Sequence, residues 1–153
     1  MNEYFMGIAL QEAKIASTKG DVPVGAIIVR NNKIISKGYN MKEQTNDPTD
    51  HAEIIAIKNA SQELKSWRLN DCDMYVTLEP CSMCAGAIVQ SRIKTLYIGT
   101  FDPKAGACGS VLNVTQNYNL NHWVDVQWLY DEKCSEVLKE FFRRKRGGNT
   151  DGE

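Results

Sequence analysis

Two short clusters of the sequence carry side chains that can bind a metal ion and move protons, namely His51-x-Glu53 and Pro80-Cys81-x-x-Cys84. Each lies where a loop or strand gives way to a predicted helix, and residues three apart on a helix share a face. A helix N-terminus also favours thiolates, because its unpaired amides and dipole stabilise negative charge. Two thiolates and one imidazole are the three ligands that catalytic zinc uses when a fourth position is left for water. We therefore predict one zinc ion per chain, with a catalytic water, held by His51, Cys81 and Cys84.

Glu53 supplies a carboxylate that can take a proton from the activated water and deliver it to a substrate nitrogen. Residues two apart on a regular helix point about 200° from each other, so His51 and Glu53 can share a site only in the first turn. Two alternative interpretations of these clusters exist. Asp50-x-x-Glu53 could be a capping box at a helix start, and Cys81 and Cys84 could be a redox pair. The two clusters together favour a catalytic zinc site, because this combination is the signature of zinc-dependent nucleobase deaminases.

The elements that must position these clusters follow from periodicity and turn residues. Helices are predicted over 2–19, 51–64, 82–91 and 132–145. Strands are predicted over 22–29, 33–39, 74–78, 95–98 and 123–130, with polar loops at 41–50 and 99–109. The first two strands form a hairpin across Asn31-Asn32, and the alternation that follows implies parallel pairing. We expect one α/β domain, residues 1–146, with a three-layer α/β/α architecture and a mixed five-stranded sheet, and a disordered tail over 147–153.

Composition sets broad limits on the class of protein. The chain has 153 residues, 42% hydrophobic and 24% charged, which suits one globular domain and argues against a membrane protein, a coiled coil or a disordered chain. The N-terminus lacks a basic stretch followed by an apolar run, and the five cysteines are an odd number, so a reducing, cytoplasmic location is expected. The remaining possible metal ligands, Cys72, Cys108, Cys134 and His122, form no second pair with ligand spacing.

Charge is unevenly distributed along the chain. The net charge of −1 argues against a general polyanion binder. The run Arg143-Arg144-Lys145-Arg146 nevertheless concentrates positive charge near the C-terminus. If nucleic acid is a partner, phosphate contacts are expected there, because affinity for a polyanion follows local cation density.

Longer stretches resemble the cytidine deaminase superfamily and, within it, the bacterial tRNA-specific adenosine deaminases. They are Pro23-Val24-Gly25-Ala26, Gly38-Tyr39-Asn40, Asp47-Pro48-Thr49 before His51-Ala52-Glu53, Trp67-Arg68-Leu69, Tyr75 to Cys81, Cys84-Ala85-Gly86, Asp102-Pro103-Lys104, Gly106-Ala107, Gly109-Ser110 and Phe141-Phe142-Arg143. One departure is Asp50, where the family usually has alanine. An aspartate there is a better helix N-cap, but it adds negative charge beside a site that should receive a phosphodiester.

The resemblance implies a cytidine deaminase-like fold and hydrolytic conversion of adenosine to inosine at the wobble position of a tRNA anticodon. Zinc would activate a water for attack on C6 of adenine, while Glu53 carries the proton to N1. The resemblance also implies a homodimer whose partner is a tRNA anticodon stem-loop, with no membrane association. The residues it assigns to substrate binding are Asn40, Ala52, Val24 and Asp102, and those assigned to RNA binding are Phe142, Arg143, Arg144, Lys145 and Arg146.

Other interpretations stay open at this point. The same zinc and Glu53 could deaminate a free base, nucleoside or nucleotide, such as guanine, cytidine or deoxycytidylate. A zinc-stabilised RNA-binding module without catalysis is a second alternative. Among single residues, Asn40 could simply end a strand, Asp102 could form a loop turn, and the cations of 143–146 could be a solvated helix end. At least one of Phe141 and Phe142 is expected in the core.

Overall fold

A computed structural model describes the backbone of residues 1–152 and the side chains of residues 1–147. Its helices are α1 (Asn2–Thr18), α2 (Lys42–Thr45), α3 (Ala52–Leu64), α4 (Ser82–Gln90) and α5 (Glu132–Gly152). Its strands are β1 (Gly25–Arg30), β2 (Lys33–Tyr39), β3 (Asp73–Leu78), β4 (Thr95–Thr100) and β5 (Asp125–Trp128). Within residues 1–152, no helix is long and apolar enough to cross a membrane.

The five strands form one mixed sheet in the order β2-β1-β3-β4-β5. Strand β1 is antiparallel to both of its neighbours, whereas β3, β4 and β5 run parallel to one another. Asn31 and Asn32 turn the hairpin with φ values of 51° and 62°, the left-handed conformation that a two-residue turn of this kind requires. The sheet topology and its opening hairpin therefore confirm the prediction.

Both faces of the sheet are covered, because side chains alternate between two cores along each strand. Ala26 and Ile28 of β1 pack in the core that includes α3 and α4. Ile27 and Val29 of the same strand pack in the core formed with α1. Because both faces of β1 are buried, its sequence is apolar at almost every position. The two cores confirm the three-layer α/β/α arrangement.

Two packing features bring the predicted site together. Gly38 of β2 lies directly against the first turns of α3, where a Cβ on the glycine would be 2.4 Å from the Ala52 carbonyl oxygen. Strands β3 and β4 are parallel, so their carboxyl ends meet at the same edge of the sheet. The chain leaves that edge toward Cys81 from β3 and toward Asp102 from β4. The helix starts and the loop after β4 therefore surround a common space.

Several elements differ from the prediction in their bounds, and one short helix was not predicted. The strand expected over 22–29 begins at Gly25, because residues 22–24 form a tight turn in which the Val24 amide donates to the Val22 carbonyl at 2.8 Å. The expected loop 41–50 contains the short helix α2, and β5 is shorter than 123–130. Helix α5 continues to Gly152, past its expected end at 145. The expected tail, 147–153, extends to Glu153, outside the described residues, and its disorder stays a prediction.

Helix α2 was missed because its stabilising contact is distant in sequence. The buried carboxylate of Asp21 accepts hydrogen bonds from the Glu43 amide at 2.9 Å and from Gln44 Nε2 at 3.0 Å. The first amides of a helix have no partner within the helix, so an acceptor such as the Asp21 carboxylate stabilises α2 in the way that an N-cap side chain does. No local pattern in 41–50 indicates that the Asp21 carboxylate will accept these hydrogen bonds.

Candidate active site

Three metal-binding side chains converge at the starts of two helices. His51 is the N-cap residue of α3, Cys81 is the N-cap residue of α4, and Cys84 lies in the first turn of α4. His51 Nδ1 is 3.6 Å from Cys81 Sγ and 3.4 Å from Cys84 Sγ, and all ligand atoms lie within 4.8 Å of one another. Tetrahedral bonds of about 2.3 Å to sulfur and about 2.0 Å to nitrogen would separate N and S by roughly 3.6 Å. The group therefore fits a zinc ion.

The same proximity sets the protonation of the three ligands. The hydrogen bond from the Cys84 thiol, followed by that from His51, lowers the pKa of Cys81 to about 3. The same bond to Cys81, together with burial, raises the pKa of Cys84. The hydrogen bond to Cys81 also raises the pKa of His51. The lowered pKa favours the thiolate form of Cys81, which is the form that binds metal.

Glu53 lies in the first turn of α3, as its two-residue spacing from His51 requires, and is 3% exposed. Burial is the main cause that raises the pKa of its carboxyl to about 7. A carboxyl group with that pKa can accept and release a proton at neutral pH. The capping-box alternative is wrong, because His51, not Asp50, is the N-cap residue and α3 has no side-chain cap hydrogen bond.

A cavity of about 170 Å³ opens beside these residues. It is smaller than the roughly 300–1,000 Å³ of pockets for drug-sized ligands, and its size suits one small, flat ring system. Its walls contain Val22, Val24, Asn40, Lys42, His51, Ala52, Glu53, Leu78, Glu79, Cys81, Asp102 and Ala105. The four residues that the sequence assigns to substrate binding are thus brought together with Glu53 and two of the predicted metal ligands.

Asn40 lines this cavity and has an unused, buried acceptor. It follows the last residue of β2, so it does end a strand, and its side-chain nitrogen donates to the Val22 carbonyl at 3.4 Å. Its buried Oδ1 has no hydrogen-bond partner within the described part of the chain. Leaving a buried acceptor unpaired costs about 1–3 kcal/mol. A ligand that donates a hydrogen bond to Oδ1 would recover that free energy.

Asp102 forms the turn that was its alternative interpretation. Its Oδ1 accepts hydrogen bonds from the amides of Lys104 at 3.0 Å and Ala105 at 3.2 Å. Because Asp102 also lines the cavity, the turn does not remove it from the site. A contact between Asp102 and substrate stays a prediction.

Asp50, the departure from the family pattern, does not line the cavity. Its carboxylate accepts a hydrogen bond from the Thr45 hydroxyl at 2.7 Å, and the residue is absent from the cavity walls. Its negative charge is therefore directed toward the end of α2. The effect of this charge on a bound phosphodiester stays a prediction.

Two charged residues of the cavity walls, Glu79 and Lys42, had no predicted role. Glu79 is 2% exposed, although a single glutamate after a strand carries no local sign of burial. The only available signal was its place in the stretch Tyr75 to Cys81, which resembles the family. Lys42 lies in the loop whose helical turn was also missed.

The predicted RNA-binding residues, 142–146, do not line the cavity. Phe141 is 7% exposed and belongs to the core, as expected for one of the two aromatics, while Phe142 is 41% exposed. Arg143 pairs with Glu140, and Arg144 lies 3.7 Å from the same carboxylate. RNA contact by this segment therefore stays a prediction.

Comparison with known proteins reveals extensive similarity. A family model described as MafB19-like deaminase matches residues 1–146. The chain is 49% identical over 144 residues to the tRNA-specific adenosine deaminase of Aquifex aeolicus (strain VF5), covering 94% of this chain and 95% of that protein. It resembles a solved structure from studies of A-to-I editing by tRNA:A34 deaminases at the wobble position of transfer RNA, with a TM-score of 0.85, 41% identity and coverage of 89% and 99%. A guanine deaminase structure from Bacillus subtilis has a TM-score of 0.62 and 39% identity, over 65% of this chain and 64% of that one.

Proposed function

The chain belongs to the MafB19-like deaminase family, and we propose that it hydrolyses adenosine to inosine at the wobble position of a tRNA anticodon. Its sheet and helices form the cytidine deaminase-like fold predicted from the sequence. The observation that carries the proposal is the convergence of Glu53, His51 and Cys81 on one base-sized cavity. Similarity over 94% of the chain to a tRNA-specific adenosine deaminase supports the choice of substrate.

His51, Cys81 and Cys84 would hold the zinc ion, since their atoms already lie at ligand spacing. When bound, zinc supplies the activation of a water molecule as nucleophile. Glu53 takes a proton from that water and transfers it to N1 of adenine. An oxygen–carbon bond forms at C6. Glu53 then carries the proton left on that oxygen to the exocyclic nitrogen, the bond from C6 to that nitrogen breaks, and ammonia leaves. Burial of Glu53 suits this role, because it brings the carboxyl pKa to about 7.

The cavity walls would orient the extruded base. The free Oδ1 of Asn40 accepts a hydrogen bond from the substrate, the Ala52 backbone contacts the ring edge, and Val24 packs on its face. Asp102 contacts the target nucleotide from the opposite loop. An unpaired anticodon loop makes extrusion of the base inexpensive, because no base pair has to be broken.

Phe142 and the cations of 143–146 would bind the RNA outside the cavity. Phe142 is 41% exposed and can stack on a base. Cations on the same helix end can contact phosphates, which raises affinity without a contribution to base recognition. This division explains why the segment does not line the cavity.

A substrate comparison tests the proposed function. Purified protein with measured zinc content is incubated with an anticodon stem-loop that carries a wobble adenosine, and separately with free adenosine, adenine and guanine. We expect inosine in the stem-loop and little conversion of the free compounds. A stem-loop with guanosine at the wobble position is the matched control for cleavage or contamination. Product formed only from a free base or nucleoside would refute the tRNA assignment.

A second candidate function is deamination of a free base. The similarity to the Bacillus subtilis guanine deaminase structure, 39% identical over 65% of this chain, favours it. The size of the cavity is compatible with both substrates, because both present a single purine to it. The exposed Phe142 and the basic helix end favour the stem-loop, since a free base needs neither.

Three further assignments accompany the proposed function. The protein is a homodimer, as the family resemblance implies and as the exposed apolar side chains of Phe101, Val111 and Leu112 support. It forms one deaminase domain over residues 1–146 and acts in the cytoplasm, where its tRNA substrate occurs. Light scattering after size exclusion tests the dimer, for which a monomeric mass at micromolar concentration is the contrary result.

A further inference from the structure

Glu79 is a buried carboxylate at which four hydrogen-bond donors converge. It lies between β3 and α4, and its side chain faces the segment that follows β4. The backbone amides of Asp102, Cys108 and Ser110 donate to it at 3.0, 3.0 and 3.1 Å. The Ser110 hydroxyl donates as well. A buried carboxylate is costly unless such charge-assisted bonds satisfy it, so the segment and the carboxylate stabilise each other.

The segment 102–110 is folded around this carboxylate. A Cβ on Gly106 would be 2.3 to 2.5 Å from the three carboxyl atoms of Glu79, so only a glycine allows this approach without a shift. The Ala107 amide also donates to the Pro80 carbonyl at 2.8 Å. The segment is therefore held to the turn between β3 and α4 by contacts that centre on Glu79.

The same segment supplies one wall of the base cavity, through Asp102 and Ala105. No regular helix or strand crosses residues 102–110, so individual hydrogen bonds hold this wall in place, and the bonds to Glu79 include the one at Asp102. We infer that Glu79 is a positioning residue, which holds 102–110 against the cavity and thereby sets the affinity for the target nucleotide. The affinity part of this inference rests on the proposed function, whereas the order of the segment does not.

The two carboxylate oxygens of Glu79 divide the donors between them. Oε1 accepts from the Asp102 amide and the Ser110 hydroxyl, and Oε2 accepts from the Cys108 and Ser110 amides. In Glu79→Gln, the amide nitrogen fits best at the Oε1 position, because the Ser110 hydroxyl can accept as well as donate. The Asp102 amide then faces a second donor and loses its partner. This variant therefore releases the cavity end of the segment and leaves the other end attached.

The test combines hydrogen exchange of the protein alone with steady-state kinetics on the wobble-adenosine stem-loop. For Glu79→Gln we expect faster amide exchange in 102–110, a KM raised about tenfold and a kcat within about twofold of the parent. The apparent affinity falls because only the fraction with an ordered wall binds well, and saturating substrate restores that fraction. Zinc content should not change. Glu63→Gln, the same substitution on the exposed surface of α3, is the matched control and should leave all four quantities unchanged.

Ser110→Ala provides a second, milder variant. It removes the hydroxyl donor and leaves three amide donors, so it should fold even if Glu79→Gln does not. We expect a KM raised about threefold and a smaller increase in exchange over the same residues. Two results for either variant would overturn the inference and leave Glu79 only a structural role. One is hydrogen exchange in 102–110 at the parent's rate, and the other is a lowered melting temperature with a KM equal to that of the parent. If the wild-type protein forms no inosine in the stem-loop, the proposed function fails, and hydrogen exchange alone decides the role of Glu79 in the segment.

Discussion

Substitution of Gly38 by alanine tests how closely the start of α3 must approach β2. A Cβ at this position would be 2.4 Å from the Ala52 carbonyl oxygen and 2.9 Å from the Ala56 amide nitrogen. Ordinary contact begins at 3.4 Å, so the helix start must move by about 1 Å to accept the methyl group. His51 and Glu53 occupy that helix start and would move with it.

The expected cost has two parts. Overpacking of a buried contact costs about 1–3 kcal/mol, which in a chain of this size lowers the melting temperature by about 2–12 °C. A displacement of about 1 Å at catalytic groups can reduce the rate by about 100-fold. We therefore expect Gly38→Ala to fold, to melt earlier and to have a kcat/KM on the wobble-adenosine stem-loop about 100-fold below the parent.

Thermal unfolding and single-turnover deamination at matched zinc content measure these effects. Gly7→Ala is the matched control, because Gly7 lies within α1 and a Cβ there would contact nothing within 4 Å. That control should keep full activity and gain about 0.5–1 kcal/mol from the helix preference of alanine. A Gly38→Ala protein with the parent's melting temperature and kcat/KM would refute the claim that this contact positions the catalytic groups.

The remaining predictions concern individual site residues. Glu53→Gln should reduce turnover by about 10²- to 10⁴-fold, because the proton carrier is lost. Metal analysis should find the zinc content unchanged. Activity near the parent level would remove Glu53 from the mechanism. Cys81→Ala should lose zinc in dialysis against a weak chelator, and full occupancy would contradict the ligand set. Asn40→Ala should raise the stem-loop KM about tenfold with little loss of thermal stability. Its Oδ1 has no partner within the described residues, and its Nδ2 makes one long hydrogen bond, 3.4 Å to the Val22 carbonyl. An unchanged KM would count against Oδ1 as a substrate acceptor. Replacement of Arg143 and Arg144 by glutamine should weaken stem-loop binding. The slope of log affinity against log salt concentration should fall in magnitude by about 0.7 for each lost phosphate contact. An unchanged slope would argue against RNA contact.

The grouping of the three possible metal ligands was predictable from local pattern. His51, Cys81 and Cys84 are informative because their types and short spacing restrict where a metal can bind, and the structure places their ligand atoms within 4.8 Å of one another. The position of Glu53 in the first turn of α3 also followed from helical geometry. Local pattern failed at Asp50, where a common capping motif was considered and the carboxylate instead binds the Thr45 hydroxyl.

Residues that act through distant contacts were not predictable. Asp21 and Glu79 are separated from the groups they bind by more than 20 positions in the chain. Neither has neighbours of a type or spacing that indicates a buried carboxylate. Their hydrogen-bond donors are mostly backbone amides, which every residue except proline has, so no residue type marks where those partners lie in the sequence.

By itself, the sequence determined most of the elements, the mixed sheet and the grouping of three possible metal ligands, because these depend on periodicity and on residue types at short spacing. Tertiary structure alone decided the shape of the base cavity, the free acceptor of Asn40 and the attachment of 102–110 to Glu79. These features arise where the ends of β2, β3 and β4 meet the starts of two helices. Their energies come from burial and from hydrogen bonds between distant parts of the chain, which exist only after the sheet has formed.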